Sequence, residues 1–407
     1  MTEYTIRRLG HLGDGVADGP VFVAGALPGE VVTGTAEGER LRDIRIVKPS
    51  SDRVSPPCRH FKSCGGCQMQ HMADVALADW KTDIVRTALQ AQGLDTEFLP
   101  IHTSPPNTRR RATFAARRTK KGAMAGFYGR QSDAIIEIPD CHLLHPRLMA
   151  ALPLAEALAV AGASRKTPLR VAATLAEPGL DIAVTEGKPL DGPLRMALAE
   201  LCQTHDLARL SWDGETIATR LPPEQRFDGI PVTPPAGAFM QATKDGEEAL
   251  RTDVLDIVKG ATSVIDLFAG CGTFALPVAR KAAVHAVEGD RAMTSALDTA
   301  WRHAQGLKKV TSETRDLFRQ PLQADELSGF GAAIIDPPRA GAEAQIAQIA
   351  QSDIPVVAHV SCNPVTFARD AATLVRHGYK LTHLRVIDQF RWSVHVELVA
   401  EFRRDAS

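Results

Sequence analysis

The sequence predicts an α/β protein. Its C-terminal part reads as a doubly wound, largely parallel sheet, preceded by a small all-β unit and a β-rich middle. Three observations carry this. From residue 263 onward, apolar runs of strand length alternate with short alanine-rich helical runs, as in a parallel sheet covered on both faces. The first run, 263–268, leads into Ala269-Gly270-Cys271-Gly272-Thr273, a strand–glycine turn–helix junction at which backbone can approach a nucleotide-like ligand. The first fifty residues instead hold short strand candidates punctuated by Gly10, Gly13, Gly15, Gly19 and Gly25, the texture of a small all-β unit.

The 407 residues suffice for two or three domains with their own cores. A hydrophobic content of 44% and a charged content of 23% are those of a soluble globular chain. Net charge is −1, so any nucleic-acid contact needs a local basic patch. No apolar run is long enough to span a bilayer, and the N-terminus lacks the apolar core of a signal peptide. The expectation is therefore a cytoplasmic protein with no membrane partner; nothing in the sequence predicts an obligate protein partner. Seven cysteines, an odd number, argue against a disulfide framework and for metal, catalytic or core roles.

Three domains are expected: 1–50, 51–240 and 241–407. In the first, strands are read at 5–9, 20–23 and 30–36. Pro56-Pro57 marks the boundary, and Cys58, Cys64 and Cys67 follow at once in C-x5-C-x2-C spacing, the last two split by Gly-Gly. Thiolates on a tight glycine loop can converge on one metal centre. A fourth ligand is needed, and Cys141 is the best candidate, because Cys202 lies in an alanine- and leucine-rich helical run and Cys271 lies in the glycine turn. Four-cysteine zinc sites usually show paired C-x2-C knuckles. A triplet plus one distant cysteine fits an iron–sulfur cluster better, and the spacing differs from the C-x3-C-x2-C of radical enzymes.

Helical periodicity over 73–93 places Leu77, Trp80, Ile84, Val85 and Leu89 on one side. A β-rich stretch to about 240 contains Arg109, Arg110, Arg111, Arg117, Arg118, Lys120 and Lys121, seven positive charges with no negative one in thirteen residues. In a chain otherwise neutral, this segment is the expected phosphate contact. Residues 150–208 read as helix, strand, helix, and 244–258 as an amphipathic helix.

In the last domain strands are expected at 263–268, 284–288, 309–313, 331–335, 355–360, 379–387 and 393–403, the final two antiparallel. Ligands of such sheets gather at the carboxyl ends of the strands. There lie Glu288, suited to ribose hydroxyls, and Asp316, suited to an adenine edge. Beside them come Asp336-Pro-Pro-Arg339-Ala-Gly341 and Ser361-Cys362-Asn363-Pro364. His395 and Glu397 are expected on one face by the two-residue strand period. Cys362 precedes a good N-cap, Asn363, and a good first helical residue, Pro364. A helix N-terminus favours the thiolate, so Cys362 is a candidate nucleophile.

The residues 268–277, the Asp336-Pro-Pro-Arg-Ala-Gly341 and Ser361-Cys-Asn-Pro364 motifs, and Asp388-Gln-Phe with His395-Val-Glu397 resemble the RNA uracil-C5 methyltransferase family. The cysteine pattern resembles its iron–sulfur branch, which acts on 23S ribosomal RNA, and 9–30 resembles the OB-like TRAM barrel. The likeness covers essentially the whole chain, most loosely over 145–230. It implies a class I S-adenosylmethionine (SAM) methyltransferase sheet, a [4Fe-4S] cluster on Cys58, Cys64, Cys67 and Cys141, and a single-stranded or flipped uridine as substrate. It further implies Cys362 as the nucleophile and Glu397 as the base, with cofactor contacts from Gln241, Phe268, Thr273, Glu288, Asp316 and Asp336. Three places depart from the family pattern. Thr273 stands where asparagine is frequent, Ala-Thr rather than Val-Asn follows Gln241, and Arg-Trp-Ser-Val follows Phe390. Competing readings are a transfer-RNA substrate, an amino-directed methyltransferase and a non-catalytic RNA-binding protein. Against the amino-directed reading, Arg339 replaces the aromatic residue of D-P-P-Y; against the non-catalytic one, Cys362 and Glu397 are both present.

Overall fold

In the computed structural model, residues 2–19 and 21–404 are described. Glu3–Leu9, Gly15–Ala17, Val21–Val23, Val31–Glu37 and Arg40–Lys48 close into a five-stranded barrel. Its interior is filled by Ile6, Val23, Ala26, Val32 and Leu41. Two of these strands, Gly15–Ala17 and Arg40–Lys48, were not expected from the sequence, and the strand read at 20–23 is described only from Val21, Pro20 lying outside the described residues.

The middle of the chain forms a seven-stranded sheet in the order Glu215–Thr219, Arg209–Trp212, Leu180–Thr185, Leu169–Leu175, Arg111–Arg118, Ala123–Tyr128, Ile135–Ile136. Helices Ala151–Gly162 and Gly192–Thr204 supply Leu154, Leu158, Leu194 and Leu198 to its core.

The C-terminal sheet has eight strands, in the order Val310–Thr314, Ala283–Glu288, Ser263–Leu267, Ala332–Ile335, Val356–Ser361, Leu398–Arg403, Lys380–Asp388, Glu97–Thr103. The first five are mutually parallel, and Leu398–Arg403 runs antiparallel to both its neighbours. Val264, Ile265, Leu267, Ile334 and Ile335 are fully buried, because helices cover both faces.

The eighth strand corrects the expected domain boundary. Glu97–Thr103 comes from the middle of the chain yet pairs in parallel with Lys380–Asp388. Helix Asp74–Gln90, hereafter α1, packs on helix Pro364–Arg376 of the C-terminal layer. Residues 74–103 therefore belong structurally with the last domain. The cause lies in α1 itself: Leu77, Val85 and Leu89 form a buried stripe, and Val85 and Leu89 join the core under the C-terminal sheet. Among the described residues no helix is long and apolar enough to cross a membrane.

Candidate active site

The strand Ser263–Leu267 ends at Phe268, which holds a left-handed φ of 62°, rare for a bulky residue and typical of strained functional turns. Gly272, at φ 90°, could not carry a side chain without meeting Leu276 and Leu297. The turn is pinned from the next strand: the Gly270 N–H donates to the Glu288 carboxylate at 3.0 Å, and the Asp290 N–H donates to its other oxygen at 2.9 Å. Phe268 faces Phe318, ring centroids 5.4 Å apart.

These groups open onto a cavity of about 470 Å³. Gln241, Phe268, Thr273, Glu288, Asp316, Asp336, Cys362 and Glu397 all line it. The sequence did not single out Phe239, Met293 and Phe318, which line it too. Phe239 and Phe318 are exposed aromatics; the one sequence signal was an aromatic two positions after Asp316. A second, larger recess of about 970 Å³ lies between the barrel, α1 and the start of helix Pro364–Arg376. Arg339 and Cys362 line both spaces, so the thiol stands in the wall between them.

Asn363 caps its helix as expected, accepting from the Val365 N–H at 3.1 Å, while its amide donates to the Arg339 carbonyl at 2.8 Å. The thiolate expectation is corrected. Burial pushes the Cys362 thiol up to about 12, the carboxyl groups of Glu397 and Asp336 add to this, and Arg339 opposes it. The helix terminus is outweighed by two acids and by loss of water. Burial likewise lifts Asp336 to about 7. Glu397 stands well above the usual carboxylate range, through burial first and Asp336 second. The Gln389 amide opposes that rise, donating to Glu397 at 3.2 Å and to the Gln241 side chain at 2.5 Å. With Glu288, Asp316, Asp336 and Glu397 around it, the cavity suits a cationic ligand, which would draw Asp336 and Glu397 back toward ionisation.

His395 and Glu397 do not share a strand face. Residues 393–397 form a loop, and Leu398–Arg403 begins only after them. His395 lines the outer recess, with Arg339 at 3.4 Å, and Glu397 lines the cavity.

The basic segment divides. Arg110 is buried, ion-paired with Glu247, and donates to the Gln241 carbonyl at 3.1 Å. It holds the cavity wall and is out of a phosphate's reach. Arg109 is bonded into the chain, its Nε donating to the Arg111 carbonyl at 3.1 Å, and Arg111 lies over the Phe239 ring at 4.2 Å. Arg117, Arg118, Lys120 and Lys121 sit at the other end of strand Arg111–Arg118, roughly 20 Å away at the rise of a strand. The single patch expected from sequence is therefore two clusters.

Cys58, Cys64, Cys67 and Cys141 line one small cavity with Phe61, Phe127, Ile138 and Leu143, and all four are free. Burial raises the thiols of Cys64 and Cys141 and takes Cys67 up to about 12. Arg130 donates to the Cys67 carbonyl at 2.6 Å and stacks over Phe61. Among the described residues no three His, Cys, Asp or Glu side chains are grouped as ligands of a single metal ion.

Residues 232–403 match the family model described as tRNA (Uracil-5-)-methyltransferase. An uncharacterized RNA methyltransferase of Brucella suis biovar 1 is 45% identical over 401 residues, covering 98% of this chain and 97% of the relative. The 23S rRNA (uracil(1939)-C(5))-methyltransferase RlmD of Halomonas elongata is 33% identical over 428 residues, covering 97% and 88%. The fold resembles the crystal structure of Pyrococcus abyssi tRNA (uracil-54, C5)-methyltransferase in complex with S-adenosyl-L-homocysteine, with a TM-score of 0.76, 20% identity and coverage of 98% and 100%. On the strength of the full-length relatives and the matched C-terminal region, the chain belongs to the RNA (uracil-5-)-methyltransferase family.

Proposed function

We propose that the protein methylates carbon 5 of a uridine in 23S ribosomal RNA, with SAM as donor. The observation that carries this is the placement of Cys362, which lines an acid-rich cavity together with Glu397 and also faces an outer recess wide enough for a nucleotide. The cavity fits SAM by charge and by lining, with carboxylates for a cation and the Phe239, Phe268 and Phe318 side chains for a flat ring to lie against. Glu288 would take the ribose hydroxyls and Asp316 the adenine edge. Bound there, SAM supplies an electrophilic methyl group on a sulfonium.

The residues of the chain do the rest. Cys362 loses its proton to solvent in the outer recess, its thiolate Sγ adds to carbon 6 of uracil, and the displaced π electron pair makes carbon 5 nucleophilic. Carbon 5 takes the methyl, and Glu397 removes the remaining carbon 5 proton. That electron pair forms the 5,6 double bond, and Sγ leaves. Glu397 is ionised while a positive charge shares the cavity and becomes a stronger base once that charge is discharged, which is when it must accept a proton. The uridine enters from the outer recess, unstacked or from a single strand.

Cys58, Cys64, Cys67 and Cys141 would hold a [4Fe-4S] cluster. Four thiols in one small pocket, walled by Phe61, Phe127, Ile138 and Leu143 with Gln70 and His142 as the other polar side chains, suit a multi-iron centre. A cluster there would cross-link the 58–67 loop to Cys141 and supply structure.

Mass spectrometry of ribosomal and transfer RNA from cells with and without the protein tests the substrate. Loss of one 5-methyluridine from 23S RNA is the expected result. Loss from transfer RNA alone overturns the ribosomal assignment, and loss of an N-methylated base overturns the chemistry. Anaerobically purified protein should be brown with about four irons; colourless protein with one zinc overturns the cluster.

A further inference from the structure

The loop 389–397, which follows strand Lys380–Asp388, carries Gln389 and Glu397, and α1 holds it from outside the catalytic layer. Lys81 lies in the buried stripe of α1, between Leu77 and Val85, and is 0% exposed. Its Nζ donates to the Asp388 carboxylate at 2.5 Å and to the Phe390 carbonyl at 3.0 Å. Asp388 is equally buried and accepts from the Phe390 N–H at 3.1 Å. The residue between these anchors is Gln389. Its side chain is committed on every side, accepting from the Ala242 N–H at 2.7 Å while donating to Gln241 and Glu397. Two turns earlier in α1, Asp74 accepts from Arg391 at 2.5 Å and from the Trp392 indole at 3.1 Å. The Trp392 carbonyl takes the Gln68 and Met69 N–H groups, both at 2.9 Å, and Trp392 itself holds a φ of 58°.

A buried ion pair is a poor way to stabilise a fold, since an apolar pair of the same volume usually does as well or better. What it supplies is a fixed position. We propose that Lys81 is a positioning residue of the methyl transfer: by fixing Asp388 and Phe390 it sets Gln389, and through Gln389 the carboxyl group that removes the carbon 5 proton. This rests on the uridine reading above and deepens it. The step affected is the last one. The adduct carries both the new methyl and the original hydrogen on carbon 5; Glu397 takes that hydrogen as a proton, the C–H electron pair becomes the double bond, and the C6–Sγ bond breaks. A displaced Glu397 leaves the addition of Cys362 intact and slows this release.

The test compares two RNAs of the same sequence with full-length protein and SAM, one containing uridine and one 5-fluorouridine. Fluorine on carbon 5 stops the reaction at the methylated adduct whatever Glu397 does. For Lys81→Met, trapping by fluorouridine RNA should proceed within about twofold of wild type. Turnover on uridine RNA should fall about tenfold to a hundredfold, as for a misplaced base, with the methylated protein–RNA adduct accumulating on denaturing gels. Lys81→Arg, which keeps the charge, should recover part of the turnover. Trapping and turnover falling in proportion would mean a smaller folded fraction and would overturn the proposal, as would no change in either. If Lys81→Met does not fold, Asp74→Asn decides: it alters a half-exposed side chain and should show the same adduct on uridine RNA with a smaller loss of turnover, an unchanged profile overturning the proposal. Wild-type protein that traps no fluorouridine RNA would instead sink the uridine reading itself, a result that no Lys81 variant can mimic.

Discussion

Cys67 and Cys362 are both pushed up to about 12, and burial is the main cause in each. Their neighbours differ. Around Cys67 stand Cys141, Cys64 and Cys58, with apolar walls and the Gln70 side chain. Around Cys362 stand two carboxyl groups, Glu397 and Asp336, with one arginine. On the roles proposed above, the same shift would accompany two chemistries. Several thiols facing one another lose their protons together when a multivalent cation arrives. A lone thiol beside acids is idle until a positive charge enters and is free to be released again, which a covalent catalyst requires. On the roles proposed above, position among charged groups, and not depth of burial, is what would separate ligand from nucleophile.

The sharpest way to break the comparison is to remove each thiol. Cys362→Ala should lower methylation of RNA by roughly 10⁴-fold or more with the iron content unchanged. Cys67→Ser should do the reverse, dropping iron from about four per chain toward zero while SAM still binds by calorimetry. Iron loss in the first variant or retained iron in the second would erase the distinction.

A smaller effect tests the acidic side. Asp336 moves from the ordinary 3.8 to about 7 on folding. A raised carboxyl favours the folded state fully below the unfolded value, and that contribution is lost as pH rises through the folded one. Thermal melts of the SAM-free protein should therefore lose stability between about pH 4 and pH 7 on this account. Asp336→Asn should flatten the curve and melt higher at pH 8, by an amount of order a few kcal/mol. A variant that keeps the full pH dependence would show that Asp336 ionises freely in the folded chain.

The smallest effect concerns Arg339, the one cation that opposes the rise at Cys362. It is exposed, so its influence is screened. Arg339→Gln should slow alkylation of Cys362 by iodoacetamide about two- to fivefold, leaving Cys67 unaffected. Equal slowing at both thiols would point to a general change in access.

Much of this was legible in the chain. The strand ends announced themselves because a buried parallel strand is a plain apolar run, and the residues just past it, Glu288, Asp336 and Cys362, are polar against that background. Other features depend on partners far away in sequence. Glu97–Thr103 has half-buried side chains and no strong alternation, so nothing local says that it completes a sheet whose neighbour ends at Asp388. Lys81 breaks an apolar stripe at four-residue spacing, a visible signal, but its meaning needs Asp388. Arg110 looked like its basic neighbours until Glu247 was seen to claim it. The loop at 393–397 defeated the two-residue period because Trp392 is held in a left-handed conformation by contacts with the 68–69 segment.

The late pairing of that edge strand also bears on how the protein is made. Lys81 and Asp388 are 307 residues apart, so on the ribosome α1 and Glu97–Thr103 emerge long before the surfaces they cover. The nascent N-terminal third must carry an unsatisfied strand and an apolar helix face through most of synthesis, a stretch during which such segments invite wrong pairing. Closure of the sheet is correspondingly non-local and slow. Truncating the chain ahead of residue 241 to obtain a minimal catalytic unit would leave Lys380–Asp388 as an open edge, so the expected product of such a truncation is aggregate.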